Sequence, residues 1–298
     1  MITQNGKISG EIRSVWAGSS NQSRGIRVLP RNASYFVHVT SRMVQQRFLF
    51  DADAKRAFIR FVYDWAEFSG IHVLTHCVMD NHFHLFLWVP TPKALSWEEL
   101  TNRVSGVWST KKVDSWVRRF QAASTRDQAA MKKALTDRMC NLPAYVRVVK
   151  QSFSAWFNRT HGFRGALWES RYRSLVVSDV PESLLRVATY IDLNPIRARM
   201  CKDPAEYAFS GFGGATRHNA KMAAGIAMLL EKAKAEEKVE ALGPSLQTYR
   251  LFLYAHGRSA AEEVNASPKR RKRHGFTSME VLQEFAAAVA VHHATDAV

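Results

Sequence analysis

Two histidines separated by one residue, His82 and His84, form the most informative pattern in the sequence. Residues i and i+2 of a strand point to the same face, so both imidazoles would project side by side and could share one metal ion. With 11 histidines in 298 residues, chance alone gives about 0.4 such pairs. The pair alone is therefore a weak signal. Phe83, Leu85 and Leu87 would fill the opposite face, which predicts a half-buried strand with the histidines on its polar side.

A tyrosine and an asparagine share one side of a helix predicted at residues 181–193. At about 100° per residue, the buried stripe of that helix consists of Leu184, Leu185, Ala188 and Ile191. Tyr190 lies more than about 120° from the centre of the stripe, and Asn194 falls about 40° from Tyr190. A hydroxyl and an amide oxygen therefore share one face. The alternative is that Tyr190 is an amphipathic tyrosine that packs against a neighbouring element.

Aromatic and cationic side chains alternate around residues 164–173. Such a surface can stack bases and neutralise phosphates. A solvated basic face with one buried tryptophan is the alternative. The candidate DNA-binding residues are Lys150, Arg159, Arg164, Trp168, Arg171, Arg173 and Arg197.

The overall charge favours a polyanionic partner, and nucleic acid first. The chain has 42 Lys and Arg against 26 Asp and Glu, a net charge of +16 and a pI near 10.0. No apolar run reaches the length of about 18 to 20 residues that a membrane span needs. Residues 1–16 lack the apolar core of a signal peptide, so we expect a cytoplasmic protein. The three cysteines form no C-x-x-C pair, which argues against a disulfide framework or a thiolate zinc site.

The elements that must position these residues are predicted in the order β, α, β, β, helices, β, α. Residues 35–40 form the first strand and residues 51–68 an amphipathic helix. Residues 72–79 and 82–89 form a hairpin around the turn residues Asp80 and Asn81. Residues 97–140 are predicted to be inserted helices.

Later elements complete this core. Pro143 opens a helix and residues 166–177 are extended. Asp179 caps the helix that carries Tyr190, and Pro195 ends it.

Three domain-level segments are predicted. Residues 1–30 are a flexible tail, residues 31–212 are the main domain, and residues 213–298 are a helical and basic C-terminal extension. Helices are predicted in the extension at residues 222–241, 247–254 and 278–291, with five consecutive basic residues at 269–273.

Three motifs in a fixed order make the sequence resemble a known family. These are the H-x-H hairpin at 82–84, Gly-Ala-Leu-Trp-Glu-Ser-Arg-Tyr-Arg at 165–173 and Tyr-Ile-Asp-Leu-Asn-Pro-Ile-Arg-Ala at 190–198. Together they resemble the REP-associated tyrosine transposases, which belong to the insertion-sequence-type HUH single-strand endonucleases. The resemblance covers residues 34–212.

The resemblance implies an α+β fold with a ferredoxin-like central antiparallel sheet that follows a βαββαβ path. It implies that His82 and His84 bind Mg²⁺ or Mn²⁺, that Asn194 is the third ligand and that Tyr190 is the nucleophile. The implied activity is cleavage and transfer of single-stranded or hairpin DNA through a 5′-phosphotyrosine intermediate, without a nucleotide cofactor, by a monomer or homodimer.

The chain departs from the family pattern in two places, and two other functions stay open. Residues 97–140 are longer and more charged than in a minimal member, and Asp80 stands where the family commonly has proline. A non-catalytic protein that binds hairpin DNA or RNA is one alternative. A zinc hydrolase that uses the H-x-H pair is less favoured, since no adjacent Asp or Glu is placed as a third ligand or base.

Overall fold

One four-stranded sheet organises the protein, whose computed structural model describes residues 33–233 and 246–255 together with Pro30. The strands are β1 (Tyr35–Arg42), β2 (His72–Val78), β3 (His82–Val89) and β4 (Arg173–Val177). All neighbouring strands are antiparallel, in the order β2-β3-β1-β4. The predicted α+β class and central antiparallel sheet are confirmed.

Helices make up most of the remaining described chain. They are α1 (Ala52–Ser69), α2 (Trp97–Ser105), α3 (Thr110–Gln121), α4 (Thr125–Thr136), α5 (Leu142–His161), α6 (Pro181–Asp192), α7 (Asn194–Arg197), α8 (Gly211–Ala215) and α9 (Ala220–Lys232). Short 3-10 turns occupy Val44–Gln46 and Pro204–Glu206, and residues 246–255 are also helical.

The first long helix begins and ends where its sequence signals lie. The Asp51 side chain accepts a hydrogen bond from the Ala54 amide and caps the free donors of the first turn of α1. Gly70 ends the helix with a φ of 67°, a conformation that costs glycine little. Asn141 caps α5 in the same way, and Pro143 lies in its first turn.

The two faces of the sheet differ in chemical character. Directly opposed residues of antiparallel strands share a face, and Thr40 of β1 lies opposite His84 of β3. We call this side the histidine face; its residues on the two central strands include His38, Thr40, His82, His84 and Phe86. The other side is the apolar face, which carries Val37, Val39, Phe83, Leu85 and Leu87, all of them buried.

Helices cover both faces. On the apolar face, Phe83 contacts Phe58 of α1, with ring centroids 4.6 Å apart, and Phe58 in turn contacts Phe153 of α5. On the histidine face, α6 packs on β2, β3 and β4, and α9 packs on β2. The site residues therefore lie between the sheet and α6.

The predicted bounds of the helix at 181–193 agree with α6, Pro181–Asp192, whereas three finer local predictions around it are wrong. Only Arg173–Val177 of the predicted extended segment 166–177 is a strand. Val180, and not Asp179, occupies the N-cap position of α6, because Pro181 already supplies a first-turn residue with fixed φ and no amide hydrogen. Pro195 does not stop the helical path: it lies in the first turn of α7, where proline is tolerated.

The predicted domain boundary at residue 212 stays a prediction, and the described residues beyond it pack into the main core. Buried side chains of α9 and of residues 246–255, such as Ile226 and Tyr249, belong to the same apolar cluster as the sheet. Helices α2 to α4 lie within the predicted insert. The predicted tail at 1–30 and the segments at 269–273 and 278–291 lie outside the described residues, apart from Pro30.

Candidate functional site

The hairpin before β3 is anchored so that His82 and His84 have fixed positions. Lys55 of α1 is buried, and its Nζ lies 2.5 Å from Asp80 Oδ1 in the turn. The Phe50 amide also donates to the Asp80 carbonyl, at 3.0 Å. Asp80 thus ties the hairpin to α1 through a charged contact that a proline at this position cannot make.

The orientation of His82 is set by its neighbour Asn81. Asn81 Nδ2 donates to the Gln46 carbonyl, which turns its Oδ1 toward His82 Nδ1, 2.7 Å away. An amide oxygen only accepts, so His82 Nδ1 must donate. The Nε2 lone pair of His82 is then available for a ligand.

A third histidine, His38 of β1, completes a cluster with the pair from β3. Its Nε2 lies 2.9 Å from His84 Nδ1, and the two rings lie edge to edge in nearly the same plane, with centroids 5.1 Å apart and an interplanar angle of 19°. His82 and His84 pack edge to face, also at 5.1 Å. The cluster is therefore continuous across β1 and β3.

Burial keeps the three imidazoles neutral at pH 7. Desolvation lowers the pKa of His38 to about 4. Desolvation, with the nearby Arg42 charge, lowers the pKa of His82 to about 4. The pKa of His84 is lowered well below its usual range by burial first, and then by its histidine and arginine neighbours. Neutral imidazole is the form that binds metal ions.

Tyr190 of α6 faces this cluster. Its ring meets His38 and His84 edge to face, with centroid distances of 6.2 and 6.1 Å, while 37% of the residue stays exposed. The Arg197 guanidinium lies 4.7 Å from the ring centroid, and its Nη1 donates to the Tyr190 carbonyl. The structure thus joins His82, His84 and Tyr190, which the sequence had selected from separate motifs.

A buried carboxylate fixes the end of α6 just after Tyr190. Asp192 Oδ2 accepts hydrogen bonds from Thr75 of β2 and Tyr249, both at 2.7 Å, and Oδ1 accepts from the Phe212 amide. Burial raises the pKa of Asp192 to about 6 against the opposing effect of these donors. The network holds α6 to the sheet, and Tyr190 with it.

Asn194 lies one turn after Tyr190, as predicted, but its amide nitrogen is directed at the helix. Nδ2 donates to the carbonyls of Tyr190 and Ile191, at 3.0 and 3.3 Å. These two hydrogen bonds give partners to free carbonyls in the last turn of α6. They involve the Asn194 nitrogen and not its Oδ1. Ligation by Asn194 Oδ1 stays a prediction.

Two arginines lie on the histidine face beside the cluster. Arg42 is opposite His82 in the β1–β3 ladder, and Arg173 is opposite Thr40 in the β1–β4 ladder. Thr40 is also opposite His84, so Arg173 lies two strands, or about 10 Å, from His84. Both arginines are exposed and extend the positive charge around Tyr190.

Two of the candidate DNA-binding residues have contacts within the protein, and their DNA-binding role stays a prediction. The Trp168 ring packs against Phe50, Phe58, Phe83 and Phe153, and its Nε1 donates to Ser154. Lys150 Nζ donates to Ser41 Oγ and to the Ser170 carbonyl and lies 4.7 Å from the Trp168 ring centroid. These contacts match the buried-tryptophan alternative at residue 168.

The other arginine candidates are open to solvent. Arg159, Arg164, Arg171 and Arg173 are exposed, and Arg197 is half-buried beside Tyr190. The structure does not bring all of them to one face, because Arg159 belongs to α5 on the side of the apolar face.

The donor set limits how a metal ion could be held. Within residues 33–233 and 246–255, no group of three or more His, Cys, Asp or Glu side chains is arranged to hold a metal ion. Any metal at this site must therefore combine His82 and His84 with an amide oxygen, water or substrate oxygens. Two neighbouring imidazoles fit such a site, and Mn²⁺ accepts imidazole more readily than Mg²⁺ does.

Sequence reasoning missed His38 and Arg42. Each is an isolated residue of β1, and only the β1–β3 register places them against His84 and His82. The signal that could have found them is the alternation His38-x-Thr40-x-Arg42. It puts three polar residues on one face of β1, whereas Val37 and Val39 lie on the other face.

Comparisons with known proteins give little family evidence. No family model matches the chain, and no curated protein matches it. Among solved structures, the chain is similar to one described as a REP-associated tyrosine transposase bound to a REP hairpin. The TM-score is 0.41 and the identity 11%, over 64% of this chain and 84% of that one. At this TM-score the likeness does not establish a shared fold.

Among the residues described, none of the helices combines the length and the apolar character needed to cross a membrane.

Proposed function

We propose that the protein cleaves and rejoins single-stranded DNA through a covalent bond to Tyr190. One observation carries this proposal: the Tyr190 ring lies against His84 and His38 on a positively charged face while part of it stays open to solvent. A nucleophile that must reach a phosphodiester needs both this access and positive charge nearby.

The proposed family is that of the REP-associated tyrosine transposases. This proposal is supported by the order and content of the three sequence motifs. It is also supported by the contact between Tyr190 of the third motif and the His82–His84 pair of the first. A ferredoxin-like βαββαβ path is proposed on the same basis, since it would give the strand order β2-β3-β1-β4 found here.

In this proposal the metal ligands are His82, His84 and Asn194, through both Nε2 atoms and the amide Oδ1. The expected ion is Mg²⁺ or Mn²⁺. When bound, such an ion supplies positive charge to the non-bridging oxygens of the scissile phosphate.

Tyr190 carries out the covalent step. Its oxygen attacks phosphorus, an O–P bond to the tyrosine forms and the bond from phosphorus to the 3′ oxygen breaks. The phenolic proton passes to solvent and the departing 3′ oxygen takes up a proton, so the numbers of atoms and charges balance. A phosphodiester replaces a phosphodiester, so reversal onto a new 3′-hydroxyl needs no nucleotide cofactor.

The partner proposed is single-stranded or hairpin DNA, bound by exposed arginines. Arg197 lies against the Tyr190 ring, Arg42 is opposite His82, and Arg173 is in the same cross-strand row as His84. Phosphates bound along this face would neutralise their charge. A monomer or a homodimer located in the cytoplasm is the accompanying expectation.

A covalent-adduct assay tests this function directly. The full chain is incubated with 3′-labelled hairpin DNA that carries single-stranded flanks, with Mn²⁺ or Mg²⁺, and run on denaturing gels. We expect a protein–DNA adduct that disappears with Tyr190→Phe, while hairpin binding changes less than about twofold because only a hydroxyl is removed.

The matched control is Tyr172→Phe, a buried tyrosine in the second motif, which should leave the adduct intact. An adduct that survives Tyr190→Phe would refute the assignment of the nucleophile. Tight hairpin binding without any adduct from the wild-type chain would favour the non-catalytic alternative.

A further inference from the structure

His38 is placed to control which nitrogen of His84 is free. The contact joins His38 Nε2 to His84 Nδ1 at 2.9 Å. Each neutral imidazole carries one N–H, so one ring must donate in this contact and the other must accept. Only if His84 donates from Nδ1 does its Nε2 keep a lone pair for a ligand.

The partner of His82 provides the precedent within the same site. Asn81 Oδ1 can only accept, so it holds His82 with its hydrogen on Nδ1. If His38 likewise accepts a hydrogen bond from His84 Nδ1, both histidines of β3 present Nε2 lone pairs to one ion. A ligating histidine commonly needs such a fixed partner on its second nitrogen, and losing that partner costs about 10- to 100-fold in metal affinity or activity.

His38 is not itself arranged as a third ligand. Its Nε2 is engaged with His84, and no group of three histidines or carboxylates that could hold a metal occurs in the described part of the chain. The interplanar angle of 19° keeps the contact nearly in the plane of both rings, which is the geometry that a hydrogen bond between two ring nitrogens prefers.

We propose that His38 is a positioning residue that accepts the hydrogen bond of His84 Nδ1 and thereby directs the His84 Nε2 lone pair at the divalent cation. The role rests on the proposed function, because it matters only if His82 and His84 bind a metal. No sequence motif selected His38; the strand register alone brings it to His84.

Two substitutions separate the hydrogen bond from the packing of a ring beside His84. His38→Phe keeps an aromatic ring against His84 but removes the acceptor. His38→Gln places an amide oxygen near the position of Nε2 and so keeps an acceptor. Thermal melting of both full-length variants checks that they fold.

The first measurement is the tautomer of His84, read from side-chain ¹⁵N shifts of the metal-free full chain at pH 7.5. We expect the hydrogen of His84 on Nδ1 in the wild type and in His38→Gln, and a shift toward Nε2–H in His38→Phe. A wild-type His84 with its hydrogen on Nε2 would overturn the proposal.

The second measurement is Mn²⁺ affinity by calorimetry without DNA. His38→Phe should weaken binding about 10- to 100-fold, and His38→Gln by less than about threefold. Equal affinity in wild type and His38→Phe would refute the positioning role and leave the proposed function standing.

The two proposals can fail separately. A wild-type chain that binds no Mn²⁺ would overturn both the metal site and the role of His38. An absent Tyr190 adduct, with Mn²⁺ affinity lost in His38→Phe and kept in His38→Gln, would reject the covalent chemistry and retain His38 as a positioning residue for a metal site.

Discussion

On the apolar face of the sheet, Phe83, Leu85 and Leu87 of β3 are buried against α1 and α5, whereas the same strand turns His82 and His84 toward α6 on the other face. Burying apolar side chains stabilises the fold by about 1.5 to 3 kcal/mol each. Burying imidazoles contributes less, because they lose hydration and must find partners. One strand thus serves stability on one face and carries a polar cluster on the other.

The apolar face contains one exception that sharpens this difference. His76 of β2 is completely buried there; its Nδ1 lies 3.3 Å from the Tyr63 hydroxyl, and burial lowers its pKa to about 3. It sits among apolar neighbours and not beside other histidines. A buried histidine alone therefore does not indicate a functional site in this protein. The candidate site is distinguished by three clustered histidines, His38, His82 and His84, next to an accessible tyrosine.

The largest effect should come from the histidine face. His82→Ala should reduce metal-dependent cleavage at least about 1,000-fold, because it removes one of the few proposed protein ligands. The free energy of unfolding should change by less than about 1 kcal/mol, since the residue is only half-buried. Single-turnover cleavage assays and urea unfolding measure the two quantities. Cleavage within about tenfold of wild type would contradict the metal site.

The adjacent residue should give the opposite result. Phe83→Ala should lower the free energy of unfolding by about 3 to 5 kcal/mol, since Phe83 is fully buried between Phe58 and Trp168. Urea unfolding measures the loss. Below the unfolding transition, the adduct yield per folded molecule should stay within about threefold of wild type. A small loss of stability together with lost cleavage would remove the distinction between the two faces.

The order of the core elements could be predicted because their signals are local. Alternation in residues 82–89, the turn at Asp80 and Asn81, and the apolar stripe of α6 each depend on neighbours in the chain. The stripe Leu184, Leu185, Ala188 and Ile191 is buried as predicted. The same wheel placed Tyr190 away from that stripe, but it could not indicate that Tyr190 faces His38 and His84.

The rest depends on contacts between distant segments. His38 meets His84 across 46 residues, and Asp192 meets Tyr249 across 57. A local sequence pattern does not show which residues so far apart in the chain come into contact. Trp168 is a further case: its cationic neighbours predicted a DNA surface, and only the structure shows that its ring also packs against Phe58 and Phe83.

A smaller effect tests how firmly α6 is held on the histidine face. Tyr249→Phe should lower the free energy of unfolding by about 1.5 to 3 kcal/mol, because it removes a hydrogen bond to the buried Asp192 carboxylate. Tyr190→Phe, on the same helix, should cost less than about 0.5 kcal/mol, since 37% of the residue is exposed. Equal costs in urea unfolding would show that the Asp192 network does not anchor α6.

The smallest expected effect compares arginines that belong to the two sides of the sheet. Arg173 lies in the same cross-strand row as Thr40 and His84, so a strand that reaches Tyr190 would pass it. Arg159 is equally exposed but extends from α5, on the apolar side.

Each phosphate contact on single-stranded DNA contributes about −0.7 to the slope of log affinity against log salt concentration. Arg173→Gln should therefore reduce the steepness of that slope by about 0.7, and Arg159→Gln should reduce it by less than about 0.2. Fluorescence anisotropy with a labelled single strand, between low and moderate salt, resolves this difference. Equal changes for the two variants would mean that DNA does not favour the histidine face, and the charge around Tyr190 would then need another explanation.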